Sequence, residues 1–169
     1  MKTLTLLSIQ VGRPREVGTD GASDPMDRPW TTGFFKAPIA GTVAITTTQI
    51  DGDGQADLVN HGGPEKALCV YPTEHYPHWT RELGFALPPG AFGENFTTDG
   101  ATEPDVFIGD IYEADTAVLQ VSQPRQPCWK LARRWRVKTL AALVERTGFT
   151  GWYFRVLREA IRTGSCRES

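Results

Sequence analysis

The sequence predicts a mostly β fold, a closed or nearly closed β-barrel with a few short helices. Many short segments are alternating or rich in β-branched residues, Gly and Pro turns separate them, and few segments have helical spacing. At 169 residues, with 40% hydrophobic and 22% charged residues, the composition is that of a globular protein. We therefore expect residues 1–169 to form a single domain with one core.

The strands are predicted from alternation and from β-branched residues. Residues 4–11 alternate loosely, and residues 41–50 hold many Thr, Val and Ile residues. Between them, residues 12–30 are predicted to be a loop, because they are rich in Gly, Pro, Asp and Arg. Further extended segments are predicted at residues 34–39, 67–71, 93–100, 106–114, 118–123 and 152–157.

Two helices are predicted from their boundary residues. The first opens at Pro72 and ends at Gly84. The second covers residues 140–146, with Thr139 as its N-cap and Gly148 after its end. Residues 159–169 are polar, and we expect them to fray.

One cysteine follows a rigid elbow. The strand at residues 118–123 leads into Pro124 and Pro127, each of which fixes φ and removes a backbone donor, and Cys128 comes next. Residues 116–144 contain no Asp or Glu, and cations near a thiol favour the reactive thiolate. The cations of this stretch are Arg125, Lys130, Arg133, Arg134, Arg136 and Lys138. An inert buried cysteine ahead of a basic solvated helix is equally consistent with the local sequence.

Charge and cysteine usage exclude several classes of protein. The net charge of −2 gives no general affinity for nucleic acid or for a membrane surface. Three cysteines without a CxxC spacing argue against a disulfide framework and a cysteine-rich zinc site, and they fit the reducing cytoplasm. We expect no signal peptide and no transmembrane segment, since no apolar run is long enough.

Three loops carry polar residues with two interpretations each. Residues 51–57 have Asp-Gly pairs that resemble a calcium loop, but the glycine spacing and final glutamate are missing, so a turn is favoured. His61, followed by two glycines, either brings backbone donors to a ligand or makes a turn. Asn95 offers a donor and an acceptor to a heterocycle edge, or serves as a turn residue.

The remaining candidates are interpreted as packing residues. His75 and His78 are three positions apart, but no third ligand lies at a matching offset, so packing against the helix is favoured over metal binding. Cys69 lies within an apolar run and is predicted to be inert.

Short motifs in a fixed order resemble the MOSC domain, which also occurs at the C-terminus of molybdenum cofactor sulfurases. Within that family the chain is most similar to stand-alone bacterial proteins associated with resistance to 6-N-hydroxylaminopurine. The resemblance covers roughly residues 4–157. It rests on Lys36-Ala37-Pro38-Ile39, Gly52-Asp53-Gly54-Gln55-Ala56-Asp57, His61-Gly62-Gly63, Tyr71-Pro72, Gly93-Glu94-Asn95, Gly109-Asp110, Gln120-Val121-Ser122-Gln123-Pro124-Arg125, Pro127-Cys128 and Gly151-Trp152-Tyr153.

The resemblance implies a β-barrel-like fold that binds the molybdenum cofactor, a pterin (molybdopterin) with a phosphate and a dithiolene. It implies that Cys128 is the molybdenum ligand and the catalytic residue. The implied cofactor-binding residues are Lys36 and Arg125 for the phosphate, Asp57, His61 and Asn95 for the pterin edge or the oxygens of the metal centre, and Ser122. The family is also associated with pyridoxal phosphate.

The activity implied is reduction of N-hydroxylated compounds, such as purine bases, to amines. Because no GxGxxG motif is present, the electrons are expected from a separate reductase. One alternative is a module that carries the cofactor, or a persulfide on Cys128, without turnover. Another is a hydrolase in which Cys128 is the nucleophile and His61 the base.

The C-terminal region departs from the family pattern. Members continue after the Gly-Trp-Tyr strand with a glycine turn and a further strand, and similar members add a small helical domain. Here Ala160 stands where glycine is expected, and the sequence stops at Ser169. We therefore expect the last strand to be missing and an open barrel edge, compensated by a homodimer or by the tail.

Overall fold

The computed structural model describes residues 3–163. Eleven strands and three α-helices lie within this part of the chain. The strands are β1 (Thr5–Val11), β2 (Arg15–Val17), β3 (Trp30–Thr32), β4 (Ala37–Pro38), β5 (Thr42–Ile45), β6 (Leu68–Pro72), β7 (Phe96–Asp99), β8 (Ile111–Ala114), β9 (Ala117–Pro124), β10 (Trp152–Arg158) and β11 (Ala160–Thr163). The helices are α1 (Tyr76–Leu83), α2 (Trp129–Trp135) and α3 (Leu140–Thr147).

A curled seven-stranded sheet forms a half-barrel and carries the rest of the structure. Its order is β4-β1-β7-β6-β10-β9-β8, and all pairs are antiparallel except β6 with β7. Two separate pairs, β5 with β11 and β2 with β3, complete the β structure of the described residues. None of the helices in residues 3–163 combines the length and the apolar character that a membrane crossing requires.

An aromatic cluster fixes the helices against the sheet. The ring of Tyr71 on β6 stacks on Phe92 at 4.1 Å between centroids. Trp79 of α1 donates a 2.6 Å hydrogen bond to the Tyr71 hydroxyl, which donates in turn to the carbonyl of Phe149 at 2.9 Å. Trp79 is fully buried, and loss of such a side chain costs about 3–5 kcal/mol. This cluster holds α1 and the segment after α3 against β6.

One glycine is required where β10 begins. Gly151 has a φ of +71°, and a Cβ there would lie 2.1 Å from the carbonyl oxygen of Val70. Its backbone nitrogen donates to Glu103 at 2.6 Å, and its carbonyl accepts from Arg125. The close approach of β10 to β6 therefore depends on the absence of a side chain at this position.

Most of the predicted elements are present, helix α2 is additional to the two helices predicted, and three predictions are corrected. Helices α1 and α3 end at Gly84 and Gly148 in the left-handed conformation, as predicted. Residues 12–30 were predicted to be a loop, but they include β2, and this strand forms a hairpin with β3. Thr139 occupies the N-cap position of α3, but its side chain makes no capping hydrogen bond.

The third correction concerns the chain after β10. Residues 160–163 were expected to fray, with the last strand missing, but they form β11. This strand pairs with β5 in the register Ala160 to Ile45 through Thr163 to Thr42. The β-branched strand β5 supplies a free edge, which satisfies the backbone groups that fraying would leave to water. The rest of the segment predicted to fray, residues 164–169, lies outside the described residues.

Candidate functional site

The loop between β9 and α2 holds Cys128 just beyond the C-terminal end of β9. The backbone nitrogen of Arg125 donates to the carbonyl of Gly151 at 3.1 Å, which extends the β9–β10 pairing by one residue. Pro124 and Pro127 then turn the chain, and Cys128 lies at the N-cap of α2 with an extended backbone. Its thiol is free and the residue is half-buried. The elbow thus presents a thiol on a rigid support.

A small cavity of about 30 Å³ lies against Cys128. It brings together five of the residues predicted from sequence: Lys36, His61, Asn95, Arg125 and Cys128. The other lining residues include Phe34, Gln55, Lys66, Cys69, Lys130 and Tyr153. The cavity therefore collects cations, one accessible thiol and one histidine from segments far apart in the sequence.

Three of the lining cations, Lys66, Arg125 and Lys130, have no carboxylate partner within residues 3–163, and we call them the cation group. Arg125 and Lys130 are each 7% exposed. Lys66 donates to the carbonyl of Asn60 and lies 5.8 Å from the ring centroid of Tyr153. Because three cations without carboxylate partners among these residues create a positive potential, the cavity attracts an anion.

His61 is neutral at physiological pH in this setting. Burial, followed by the charge of Lys130, lowers the pKa of His61 to about 4, although Asp57 acts in the opposite direction. Within the described residues no hydrogen bond joins His61 to Cys128. A base for a cysteine nucleophile needs both that contact and a pKa near the working pH, so this geometry weighs against the hydrolase hypothesis.

A second group of polar residues, which we call the Asp53 network, consists of Lys36, Asp53, Asn95 and the backbone of Gly12. Lys36 and Asp53 form a fully buried ion pair with a nitrogen–oxygen distance of 2.5 Å. Asp53 also accepts from the nitrogen of Gly12 and from the amide of Asn95, both at 2.9 Å. The Asp-Gly segment predicted as a turn therefore has a structural role, because it neutralises the Lys36 charge inside the protein.

The amide of Asn95 is also used within the protein. Its oxygen accepts from the backbone nitrogen of Cys69 at 3.0 Å. Its nitrogen donates to the Gln10 carbonyl at 3.3 Å as well as to Asp53. Because both donors of this side chain have partners and its oxygen already accepts one hydrogen bond, Asn95 lines the cavity but has no free donor for a heterocycle edge.

Two other sequence-predicted residues do not line the cavity. Asp57 accepts hydrogen bonds from the backbone nitrogens of Val59 and Asn60 at 3.1 and 3.0 Å, and so stabilises a surface turn. Ser122 donates to the Glu65 carbonyl at 2.5 Å and lies 3.1 Å from the Tyr153 carbonyl. Both side chains are committed to local structure.

Sequence reasoning did not select four of the residues that build the site: Asp53, Lys66, Lys130 and Tyr153. Lys130 was detectable, since it follows Cys128 by two residues within the stretch that lacks carboxylates. Burial raises the pKa of Tyr153, which is therefore a neutral hydroxyl in the cavity wall. The burial of Asp53 and the approach of Lys66 had no local signal in the sequence.

The predicted packing role of the two neighbouring histidines is confirmed. His75 lies 2.7 Å from Glu103 through Nε2, and its ring stacks on Phe149 at 4.0 Å. His78 packs edge-on against Trp79 at 4.8 Å. Within residues 3–163, no group of three or more His, Cys, Asp or Glu side chains is arranged to hold a metal ion. A metal at Cys128 would therefore need its other ligands from a cofactor.

The comparison with known protein families identifies the class of domain to which the curled sheet belongs. The profile of the MOSC domain matches residues 57–165, more than half of the chain. The chain therefore belongs to the MOSC domain family, and the resemblance found in the sequence is confirmed.

Similar proteins agree with this assignment and also span more than this chain. YflK of Bacillus subtilis, an uncharacterized protein, is 50% identical over 155 residues, which are 92% of this chain and 67% of YflK. A protein of Gibberella moniliformis named a reductase is 35% identical over 161 residues, 90% of this chain but only 27% of that protein. The crystal structure of YiiM from Geobacillus stearothermophilus has a TM-score of 0.76 at 39% identity, covering 96% of this chain and 72% of YiiM. The predicted mostly β, barrel-like fold is confirmed by this likeness.

Proposed function

We propose that this chain binds the molybdenum cofactor through Cys128 and reduces N-hydroxylated compounds, such as purine bases, to amines. One observation carries the proposal: a half-buried thiol lies in a cavity with three cations that have no carboxylate partner in the described part of the chain. The family membership and the relative named a reductase support the same class of reaction.

The residues of the cavity fit the cofactor in chemistry and, in part, in size. The sulfur of Cys128 is a soft ligand suited to a molybdenum centre, and a metal ion deprotonates the thiol that coordinates it. The cation group complements a phosphate and a dithiolene, which are anionic. A volume of about 30 Å³ admits the metal end only, so the pterin would extend from the cavity mouth.

The reaction consumes two electrons and two protons: R–NHOH + 2 H⁺ + 2 e⁻ gives R–NH₂ + H₂O. When bound, the cofactor would supply this two-electron chemistry, with electrons from a separate electron-donating reductase. Lys66, Arg125 and Lys130 would hold its anionic groups at the cavity. His61, neutral with a pKa of about 4, orients ligands through ring hydrogen bonds and does not add to the positive charge.

A second candidate is a carrier of the cofactor, or of a persulfide on Cys128, without turnover. The small volume in front of Cys128 favours it, because a bound metal end would leave little room for a substrate in the cavity. Molybdenum bound in stoichiometric amount, without reduction of any N-hydroxylated compound in the presence of a reductase, would support this candidate over the first.

The test measures molybdenum content and N-hydroxylaminopurine reduction after expression in cells that make the cofactor. We expect Cys128→Ala to lose both by at least about tenfold, as for loss of a direct metal ligand. Cys69→Ala is the matched comparison, since Cys69 is free, lines the same cavity, and has a pKa raised by burial. If Cys128→Ala keeps its molybdenum and Cys69→Ala loses it, the assignment of the ligand is wrong.

A further inference from the structure

A second, larger pocket adjoins the cavity at Cys128. Its volume is about 440 Å³, and it is lined by Arg13, Arg15, Lys36, Arg134 and Phe35, with Pro14 and Ala37 between them. Lys36 lines both pockets, so the two are neighbours in the structure. Ligand sites commonly have volumes of about 300–1,000 Å³, so this pocket has room for a small molecule.

The charge in this pocket is positive and uncompensated. No carboxylate lines it, and Arg13, Arg15 and Arg134 make no ion pair within residues 3–163. Only Lys36 is neutralised, by Asp53. Three guanidinium groups therefore face a common space without a counter-charge.

The guanidinium group of Arg134 lies in the wall of the pocket and is only partly satisfied by protein. Its Nε and Nη1 atoms are enclosed and have no hydrogen-bond partner within residues 3–163. Burial lowers the pKa of Arg134, Glu94 acts in the opposite direction, and the charge of Arg15 adds to the lowering. An anion in the pocket would compensate the charge of this group.

The walls of the pocket are held in place before any ligand binds. The guanidinium carbons of Arg15 and Arg134 lie 5.0 and 4.4 Å from the ring centroid of Phe35. The backbone before Arg15 is fixed as well, because the nitrogen of Gly54 donates to the Gly12 carbonyl at 3.1 Å. Less ordering is then needed on binding, which favours affinity.

From these observations we propose that this pocket binds the phosphate-ester group of a small ligand. A planar guanidinium group can donate two parallel hydrogen bonds to two oxygens of a phosphate. Three such groups offer more donors and more positive charge than one carboxylate can satisfy, so a phosphate fits better. The ester can come from a phosphorylated substrate, such as a nucleoside phosphate, or from the phosphate end of a pterin cofactor. The site itself does not depend on the reduction proposed above, because it rests on different residues.

The binding experiment uses the protein without cofactor and titrates adenosine 5′-monophosphate, ribose 5-phosphate and adenosine by calorimetry. We expect the two phosphate esters to bind, adenosine not to bind, and the affinities to fall as salt is added. The exposed pair Arg13→Ala/Arg15→Ala should bind each ester about 10- to 100-fold more weakly, since each arginine contributes about three- to tenfold.

A matched variant controls for the lost charge. Arg81→Ala/Lys138→Ala removes two exposed cations that do not line the pocket, and it should bind the esters as the unmodified protein does. If both double variants bind equally, or if adenosine binds as tightly as its monophosphate, the phosphate-ester site is refuted. Retained thermal unfolding of both variants shows that each is folded.

Two further measurements on cofactor-loaded protein identify the source of the ester. Loss of molybdenum from Arg13→Ala/Arg15→Ala, and not from the matched variant, assigns the pocket to the cofactor phosphate. Retained molybdenum with a raised KM for an N-hydroxylated nucleotide, but not for the free base, assigns it to the substrate. Unchanged molybdenum and unchanged KM values would overturn the proposal even if the isolated protein bound esters. Absence of reduction by the unmodified protein contradicts the proposed function alone, since the ester titration needs no turnover.

Discussion

Lys36 and Asn95 of the Asp53 network line the same cavity as the cation group, yet the two groups differ in how their charges are satisfied. In the network, Lys36 pairs with Asp53, and both amide donors of Asn95 are bonded to protein groups. In the cation group, Arg125 and Lys130 are just as buried but have no carboxylate partner within residues 3–163. The residue types alone would have assigned all of them to ligand binding.

This difference separates residues that shape the site from residues that are free to bind. A buried polar atom with its partners in place stabilises the fold and has little left for a ligand. A buried charge without a partner is a cost that a ligand of opposite sign can remove. We therefore expect substitutions in the Asp53 network to reduce stability and substitutions in the cation group to reduce binding.

The largest effect is expected for Asp53→Asn, which leaves the buried Lys36 charge without its counter-ion. The free energy of unfolding should fall by about 3–5 kcal/mol, as for other broken buried ion pairs. Urea denaturation measures this. Asp51→Asn changes an exposed residue of the same segment and should stay within about 0.5 kcal/mol. Equal effects of the two changes would mean that the ion pair is not part of the folded state in solution.

Lys130→Met tests the cation group, and its expected effect on stability is opposite in sign to that of Asp53→Asn. Because the substitution removes a largely buried cation that has no carboxylate partner within residues 3–163, we expect the free energy of unfolding to rise by about 1–2 kcal/mol. We expect molybdenum content after expression in cofactor-producing cells to fall. Lys138→Met removes an exposed cation of the same stretch and should change neither. A destabilised Lys130→Met variant would show that protein groups compensate the Lys130 charge in the folded state. The contrast between the cation group and the Asp53 network would then be wrong.

The lowered pKa of His61 predicts that the free energy of unfolding depends on pH. Its pKa of about 4 in the folded state lies below the ordinary value of 6.5, so between these pH values the unfolded chain binds the proton more readily. The contribution of His61 to stability is therefore complete above pH 6.5 and declines as pH falls towards 4. Since the ring is only half-buried, we expect a loss of about 1 kcal/mol.

The measurement compares unfolding free energies of the protein and of His61→Gln across that pH range. The glutamine variant cannot titrate at this position, so the difference between the two proteins should shrink or change sign as pH falls. A difference that stays constant with pH would show that His61 is not held neutral by its surroundings.

The smallest effect is expected for Ser122→Ala, because one hydroxyl hydrogen bond to the chain is lost. The free energy of unfolding should fall by about 0.5–1 kcal/mol, and molybdenum content should not change. Metal analysis together with thermal unfolding checks both. If a stable Ser122→Ala variant lost molybdenum, Ser122 would be a cofactor-binding residue, as the family resemblance implies.

The fold was largely predictable because its signals are local. Alternation and β-branched residues indicated the strands, and Gly84 and Gly148 indicated the helix ends, since these depend on neighbours within a few positions. The hairpin of β2 and β3 was missed because Gly, Pro and charged residues dominate that stretch. Its two strands are defined by their pairing with each other and not by a local residue pattern. Strand β11 was missed for a similar reason, as β5 lies more than a hundred positions earlier.

By itself, the sequence determined the family, the order of most strands, and the proline elbow that carries Cys128. Only the tertiary structure decided which polar side chains near that elbow are already satisfied. The reason is the distance along the chain: Gly12 and Asp53 are 41 positions apart, and Asn95 and Gln10 are 85 apart. Hydrogen bonds and ion pairs over such separations depend on how the half-barrel curls, which no local pattern records.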